Sequence, residues 1–159
     1  MTENELMTLL RTVTPPYEAA RAAAHAHWES LAKPLGGLGA LETMIEDAAA
    51  LTDAAPAFER RAVLVLCADN GVVAQGVSQT DAAVTRAVLE NLVARRTSVC
   101  RMAAAARCAV VPVDMGTAGT PVAGAADYRI APGTCDFTVG PAMTRAQAVQ
   151  AIAAGLALV

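Results

Sequence analysis

The sequence predicts an α/β fold, in which a parallel α/β domain at residues 56–159 follows a helical segment at residues 1–55. Three observations lead to this prediction. Apolar residues in the first 55 positions recur at the spacing of helix faces. After Pro56 the pattern changes to two continuous apolar runs, which are typical of strands covered on both faces. A helical pattern separates these runs, and a crossover of this kind makes the two strands parallel.

The helical segment contains three predicted helices, at residues 2–12, 17–31 and 40–52. Pro15 and Pro16 separate the first helix from the second, because proline breaks a helix but suits the first turn of a new one. The stretch KPLGGLG at residues 33–39 interrupts the pattern again, since its glycines and proline prevent a helix there. This stretch is either a corner between two helices or a loop whose backbone N–H groups hold a phosphate.

The α/β domain begins with two predicted strands, AVLVLCA at residues 62–68 and AVVPV at residues 109–113. Pro112 is unusual inside a strand, because proline cannot donate a hydrogen bond to the ladder. Asp81 can cap a helix between the two strands, and Thr97 or Ser98 can cap a second one.

The last part of the domain changes character. Residues 117–142 are rich in Gly, Pro and Thr and have no clear period, so we predict irregular structure there. Thr144 and Gln147 then have the spacing of a capping box. This box predicts a final helix over residues 145–158.

An acidic residue follows each predicted strand. Asp69 and Asp114 therefore lie at the carboxyl edge of the parallel sheet, where such folds bind their ligands. A carboxylate at this position can accept a hydrogen bond from a ribose hydroxyl, or it can fix the loop that follows the strand. The spacing alone does not decide between these two roles.

Composition and charge exclude several classes of protein. The net charge of −3 and the lack of a dense Lys/Arg cluster argue against nucleic-acid binding. The pairs Arg60-Arg61 and Arg95-Arg96 are isolated, and we interpret them as solvated helix ends. No apolar run approaches the ~18 residues that cross a bilayer, and the acidic start differs from a signal peptide. We therefore expect a cytoplasmic protein that does not bind membranes.

Metal and nucleotide motifs are missing as well. The four cysteines are widely scattered, and His25 and His27 are two positions apart, which places them on different sides of a helix. We therefore expect buried free thiols and no metal site. The sequence contains neither the dinucleotide-binding glycine fingerprint nor the phosphate-binding loop of ATPases, so we expect no cofactor.

Six short segments stand out in chain order. They are KPLGGLGALE at 33–42, ADNGV at 68–72, GVS followed by VT at 76–85, VDMG at 113–116, GT at 133–134 and PAMTRAQA at 141–148. Together they resemble the nicotinate-nucleotide–dimethylbenzimidazole phosphoribosyltransferase family, and the resemblance covers about residues 30–159.

The chain departs from the family pattern at several positions. Ala68 and Asn70 replace the family's usual Gly and His, and residues 79–82 replace a stretch that borders the benzimidazole base in the family. Family members are also longer, and this chain resembles their N-terminal half. That half comprises helices of a small domain and the first part of a Rossmann-like sheet. The resemblance implies that the general base, a glutamate, lies in the C-terminal half, so that this chain has no catalytic residue of its own.

The resemblance implies a reaction and a set of substrates. The family transfers phosphoribosyl from nicotinate mononucleotide to dimethylbenzimidazole, giving the α-ribazole phosphate of cobamide lower ligands. We expect the chain to be inactive alone and to form homo-oligomers or need a complementary C-terminal half. The expected substrate-binding residues are Asp69, Asn70, Val77, Ser78, Thr80, Asp114, Gly133 and Thr134.

Two alternatives stay open. In the first alternative, the chain is a non-catalytic module that binds a benzimidazole-like base, or one half of a split enzyme. In the second, it is an unrelated nucleotide-binding α/β protein whose motif matches are accidental. The preferred base is not predicted, because the segment that borders it in the family differs here.

Overall fold

The structure, a computed structural model, describes residues 1–159. The helices are α1 Glu3–Arg11, α2 Glu18–Ser30, α3 Ala40–Thr52, α4 Ala82–Val93, α5 Ser98–Ala105 and α6 Arg145–Leu158. The strands are β1 Ala62–Ala68, β2 Ala109–Gly116 and β3 Ala126–Asp127, and a short 3-10 helix covers Gly71–Gln75. No helix is both long and apolar enough to span a membrane.

The chain divides into two compact units. One is Arg11–Glu59, and the other joins Met1–Leu10 to Arg60–Val159. Helix α1 therefore belongs with the α/β unit, whereas the predicted boundary placed it in the helical segment. Two contacts within that unit account for the difference: Leu6 is buried, and Glu3 forms an ion pair with Arg145 of α6.

In the helical unit, α2 packs against α3, and small residues allow the two helices to approach closely. Ala49 and Ala50 of α3 are buried, and Tyr17 N–H donates to the Ala50 carbonyl over 2.8 Å. The Gly-rich stretch between the helices is closed by Lys33, whose Nζ lies 2.9 Å from Glu42 Oε1.

The same glutamate decides between the two roles considered for this stretch. Glu42 is buried, and its Oε1 accepts the Leu38 N–H over 3.0 Å. One of the N–H groups that a phosphate would use is therefore already bonded to a carboxylate. The stretch is a corner between two helices.

The α/β unit contains a parallel sheet in the order β1–β2–β3. The predicted α/β fold with two parallel strands is confirmed. Strand β2 is longer than predicted, because Asp114 still pairs, with Cys67 on one side and with Asp127 on the other. Strand β3 was not predicted, since two residues give no period.

The core lies on one face of the sheet, under α4 and α5. Leu89 and Leu92 of α4 are fully buried there with Val110 of β2. The other face of β1 is open, because Leu64 is 37% and Leu66 58% exposed. The prediction that β1 is covered on both faces is therefore wrong for this chain.

Strand β2 tolerates Pro112 because the proline nitrogen faces away from β1. Ala109 N–H donates to the Arg61 carbonyl on the β1 side. On the opposite side, the Val110 carbonyl accepts from the Arg95 side chain, and the Asp114 carbonyl accepts from the Tyr128 N–H. The backbone polar groups of Val110, Pro112 and Asp114 therefore point away from β1, up to the register shift near the end of the strand. Strand β3 begins to pair only at Val113, so the missing N–H of Pro112 breaks no ladder bond.

The predicted caps are confirmed. Asp81 accepts the Ala83 N–H, and Thr97 accepts the Cys100 N–H. Thr144 forms the complete capping box, because Gln147 Oε1 accepts the Thr144 N–H in return.

Candidate functional site

A cavity of about 320 Å³ opens at the carboxyl edge of β1 and β2. The loop after β1, the last two residues of β2, the segment after β3 and the first half of α6 contribute to it. The ends of β1 and β2 lie at one edge of the sheet, as predicted, and both line the cavity. Its lining residues are Ala68, Asp69, Asn70, Met115, Gly116, Ile130, Ala131, Gly133, Thr134, Cys135, Ala142, Met143, Gln147 and Ala151.

Asp69 bonds to the end of β2, to the loop that follows β2 and to the segment that follows β3. Its Oδ2 accepts the N–H of Ala118 over 2.7 Å, and its own N–H donates to the Gly116 carbonyl over 2.9 Å. Its carbonyl accepts the N–H of Thr134 over 3.0 Å. The side chain is half-buried, and three polar atoms of this residue fix the walls of the cavity.

Gly133 and Thr134 are held close to Asp69 by backbone packing. Gly133 has φ +90°, and a Cβ there would lie 3.2 Å from the Asp69 carbonyl oxygen. The Thr134 hydroxyl accepts the N–H of Gly71 over 3.2 Å. A side chain at Gly71 would approach the backbone of residues 134–136 to 2.6 Å, so only glycine permits this contact.

Asp114 has a different role from Asp69. It is 1% exposed and does not line the cavity. Its Oδ1 accepts the N–H groups of Gly116 and Thr117 at 3.1 and 2.8 Å, and its Oδ2 accepts the Thr117 hydroxyl at 2.9 Å. Arg129 Nε lies 3.8 Å from Oδ2. Of the two roles considered for this carboxylate, the structure supports the fixing of the loop.

Val77, Ser78 and Thr80 lie outside the cavity. They follow the 3-10 helix in an exposed loop, where Val77 is 69% exposed. The Ser78 hydroxyl accepts the Thr80 N–H over 3.2 Å, which closes a local turn. The structure therefore brings Asp69, Asn70, Gly133 and Thr134 together and leaves the other predicted substrate-binding residues away from them.

Several lining residues were not predicted. Met115, Ile130 and Met143 give the cavity apolar walls, and Cys135 contributes an exposed thiol. The segment PAMTRAQA was noticed for its resemblance, but the sequence gives no signal that it folds back onto the strand ends.

A second contact fixes the rim from outside the cavity. Gln75 Nε2 donates to Asp136 Oδ2 over 2.6 Å, and the Asp136 Oδ1 accepts the backbone and hydroxyl protons of Thr138. The Thr138 N–H and the Gln75 amide lower the pKa of Asp136 below its usual range. This contact ties the end of the 3-10 helix to residues 134–138.

The chemistry of the cavity suits a small, largely apolar ligand. Sites of this kind combine apolar walls with a few fixed polar groups that set the ligand's orientation. No three His, Cys, Asp or Glu side chains lie close enough together to hold a metal ion. Burial raises the pKa of the Cys67 thiol beneath the rim, with smaller effects from the carboxylates of Asp114 and Asp69.

Comparisons with known proteins agree with this geometry. A sequence profile described as "Phosphoribosyltransferase" matches residues 13–159. The nicotinate-nucleotide–dimethylbenzimidazole phosphoribosyltransferases of Salmonella agona and Salmonella typhi are each 39% identical to the chain over 145 residues. The chain belongs to the nicotinate-nucleotide–dimethylbenzimidazole phosphoribosyltransferase family. The family resemblance of the six sequence segments is thereby confirmed.

A solved phosphoribosyltransferase of this family shares the fold. The enzyme from Thermus thermophilus superposes with a TM-score of 0.78 at 37% identity. The match covers 86% of this chain and 42% of the Thermus chain. The Salmonella agona match likewise covers 90% of this chain and 41% of the relative, so the chain spans less than half the length of these phosphoribosyltransferases.

Proposed function

We propose that the chain contributes the base-binding part of a phosphoribosyltransferase in cobamide lower-ligand synthesis. The reaction transfers phosphoribosyl from nicotinate mononucleotide to dimethylbenzimidazole or a related base, giving α-ribazole phosphate. The observation that carries the proposal is the apolar cavity at the carboxyl edge of the sheet, in a chain of this family. The location is the one at which parallel α/β folds bind ligands.

The cavity would hold the flat base. In the reaction, a base nitrogen forms a bond to the anomeric carbon while the bond from that carbon to the nicotinate nitrogen breaks. The electron pair leaves with nicotinate, and the proton of the second azole nitrogen goes to a carboxylate that acts as general base. Met115, Ile130 and Met143 would contact the rings, and the polar groups of Asn70 and Thr134 would orient them.

We assign the general base to a complementary C-terminal segment. Both carboxylates at this edge, Asp69 and Asp114, are already bonded to backbone N–H groups of this chain. Asp114 is buried with both oxygens bonded. Asp69 holds the Ala118 N–H through Oδ2, so a glutamate of the C-terminal half, as in the family, is the better candidate for the base. The chain alone would therefore bind the base without turning it over.

The complementary segment would also cover the open side of the sheet. Strand β1 lies at the sheet edge, and its Leu64 and Leu66 side chains are exposed. An apolar face of this kind next to an unpaired strand promotes association. The chain alone would therefore self-associate, and a C-terminal segment would replace that contact.

Turnover tests this proposal directly. The purified chain is incubated with nicotinate mononucleotide and dimethylbenzimidazole, alone and with the C-terminal part of the Salmonella agona relative, and α-ribazole phosphate is measured by chromatography. We expect product only in the mixture. Product from the chain alone contradicts the assignment of the general base, and its absence from a mixture that forms a stable complex contradicts the transferase proposal.

A non-catalytic base-binding module is a second candidate. One observation favours it: the lining of the cavity is largely apolar, and its one carboxylate, Asp69, holds a backbone N–H of this chain. Calorimetry with dimethylbenzimidazole separates the candidates. If the chain binds dimethylbenzimidazole but forms no product even with the C-terminal part added, the result supports the non-catalytic module.

A further inference from the structure

The opposite edge of the sheet collects half of the chain's cationic side chains. Arg61 lies beside Ala109, because its carbonyl accepts the Ala109 N–H over 2.9 Å, and Arg107 precedes Ala109 by two residues. Arg95 Nη1 reaches the Val110 carbonyl over 2.7 Å. We call this region the arginine edge. It comprises Arg60, Arg61, Arg95, Arg96, Arg101 and Arg107, six of the 12 Lys and Arg residues.

These arginines are exposed and have no acidic partners. All six residues are solvent-exposed, and none forms an ion pair, whereas Arg21, Arg86, Arg129 and Arg145 all do. Residues 91–113 contain four arginines and no Asp or Glu. In a chain whose net charge is −3, this is a local concentration of unneutralised positive charge. Its field attracts anionic partners.

Two residues of the arginine edge, Arg95 and Arg101, line a groove of about 430 Å³. Ala104, Ala109 and Val110 form its apolar part. Guanidinium groups bind carboxylates through paired N–H donors, and the aliphatic floor accepts short apolar side chains. The combination fits a peptide that carries both kinds of residue.

Two other anionic partners fit less well. Single-stranded nucleic acids stack their bases on aromatic rings, and no aromatic side chain lines the groove. Membrane-surface helices insert several large apolar side chains, and Met102 is the only strongly exposed one on α5.

We propose that the arginine edge is a docking surface for an acidic, Glu-rich segment of a partner protein. The surface lies at the amino end of the strands, whereas the cavity of the proposed transferase lies at the carboxyl end. Docking here leaves the base cavity accessible.

Fluorescence anisotropy tests the proposal. The probe is a labelled peptide of alternating glutamate and alanine, and its control has glutamine in place of glutamate. We expect the glutamate peptide to bind and the glutamine peptide not to bind. Raising the salt from about 0.1 M to about 1 M, which shortens the Debye length from about 10 Å to about 3 Å, should abolish binding. Equal binding of the two peptides overturns the proposal.

Matched variants locate the contact. Arg95→Gln with Arg101→Gln should weaken binding by about tenfold or more, because two charge-assisted contacts are lost. Arg60→Gln with Arg61→Gln should weaken it several-fold, and this variant disturbs no side-chain bond of the fold. The control, Arg11→Gln with Arg145→Gln, removes the same charge elsewhere and should leave binding unchanged. An equal loss in the control overturns the proposal.

Two competitors separate the remaining sources of anionic charge. Inorganic triphosphate and vesicles of anionic phospholipid are each added to the complex with the labelled peptide. Tighter binding of either competitor than of the peptide overturns the assignment to a protein partner. Weak displacement by both supports it.

Discussion

The carboxylate of Asp69 accepts the backbone N–H of Ala118, with Oδ2 2.7 Å from the nitrogen. One side chain at the end of β1 thereby fixes the loop that follows β2. The site depends on this bond, because Asp69 and Gly116, two residues before Ala118, both line the proposed base cavity.

Removing this carboxylate should loosen the cavity. We expect Asp69→Ala to lower the free energy of unfolding by about 1–3 kcal/mol, since it leaves the Ala118 N–H without its charged acceptor. Dimethylbenzimidazole affinity should fall with it. Asp69→Asn keeps an acceptor oxygen and should lose less. Urea denaturation and calorimetry measure the two effects, and equal values for both variants would argue against a role for this bond.

Asp114 should be more important for stability than for binding. Asp114→Ala leaves two buried N–H groups and a hydroxyl without an acceptor, and we expect a loss on the order of 3 kcal/mol or more. The exposed Asp127 is a matched control, and Asp127→Ala should cost less than about 1 kcal/mol. Thermal unfolding compares the two variants. A smaller loss at Asp114 than at Asp127 would be inconsistent with the observed burial.

Gly71 permits the contact between the 3-10 helix and the loop at residues 134–136. In Gly71→Ala, the new methyl group would lie 2.6 Å from backbone atoms of that loop, and overpacking of this kind costs about 1–3 kcal/mol. Gly140→Ala is the control, because no atom lies within 4 Å of its position. Base affinity and unfolding should both change in the first variant only.

Thiol labelling should distinguish the exposed cysteine of the cavity from the buried one beneath it. Cys135 is exposed, whereas Cys67 is buried and has a raised pKa, so less of it is the reactive thiolate. We expect iodoacetamide to modify Cys135 first, as followed by mass spectrometry of peptides. Dimethylbenzimidazole should slow this reaction. Unchanged labelling at saturating base would place the base elsewhere.

His25 gives the helical unit a pH-dependent contact. Its Nδ1 lies 3.0 Å from Glu46 Oε1, and this hydrogen bond raises the pKa of His25 above its usual 6.5. The contact therefore favours the folded unit fully below about pH 6.5. That contribution is lost as the pH rises through the raised pKa. NMR titration of the ring should give a lower pKa in Glu46→Gln, and an unchanged value would contradict the pairing.

Local sequence signals predicted much of the fold. The bounds of β1, α3 and α6 agree with the predictions residue for residue, because an apolar run, helical spacing or a capping box marks each of them. The parallel pairing followed from the crossover rule and was also correct. Two-residue β3 and the 3-10 helix were missed, since tertiary contacts rather than periodicity determine elements of this length.

Without the family resemblance, which indicated Gly133 and Thr134, the site was predictable only where the chain runs along a strand end. Asp69 and Asn70 directly follow β1, so the topology placed them at the rim. Val77 and Thr80 follow the 3-10 helix, which directs them out of the cavity, and no local signal encodes that turn. The arginine edge was missed for a related reason, because its members come from three separate stretches that only the folded sheet brings together.

Pro112 determines on which side the sheet accepts another strand. It offers no N–H on the β3 side of β2, and Arg95 already occupies the Val110 carbonyl on that side. An additional strand on that side would therefore meet an interrupted row of backbone donors and acceptors, whereas the free edge of β1 presents an uninterrupted row. An additional strand would therefore pair with β1, the strand that also exposes Leu64 and Leu66.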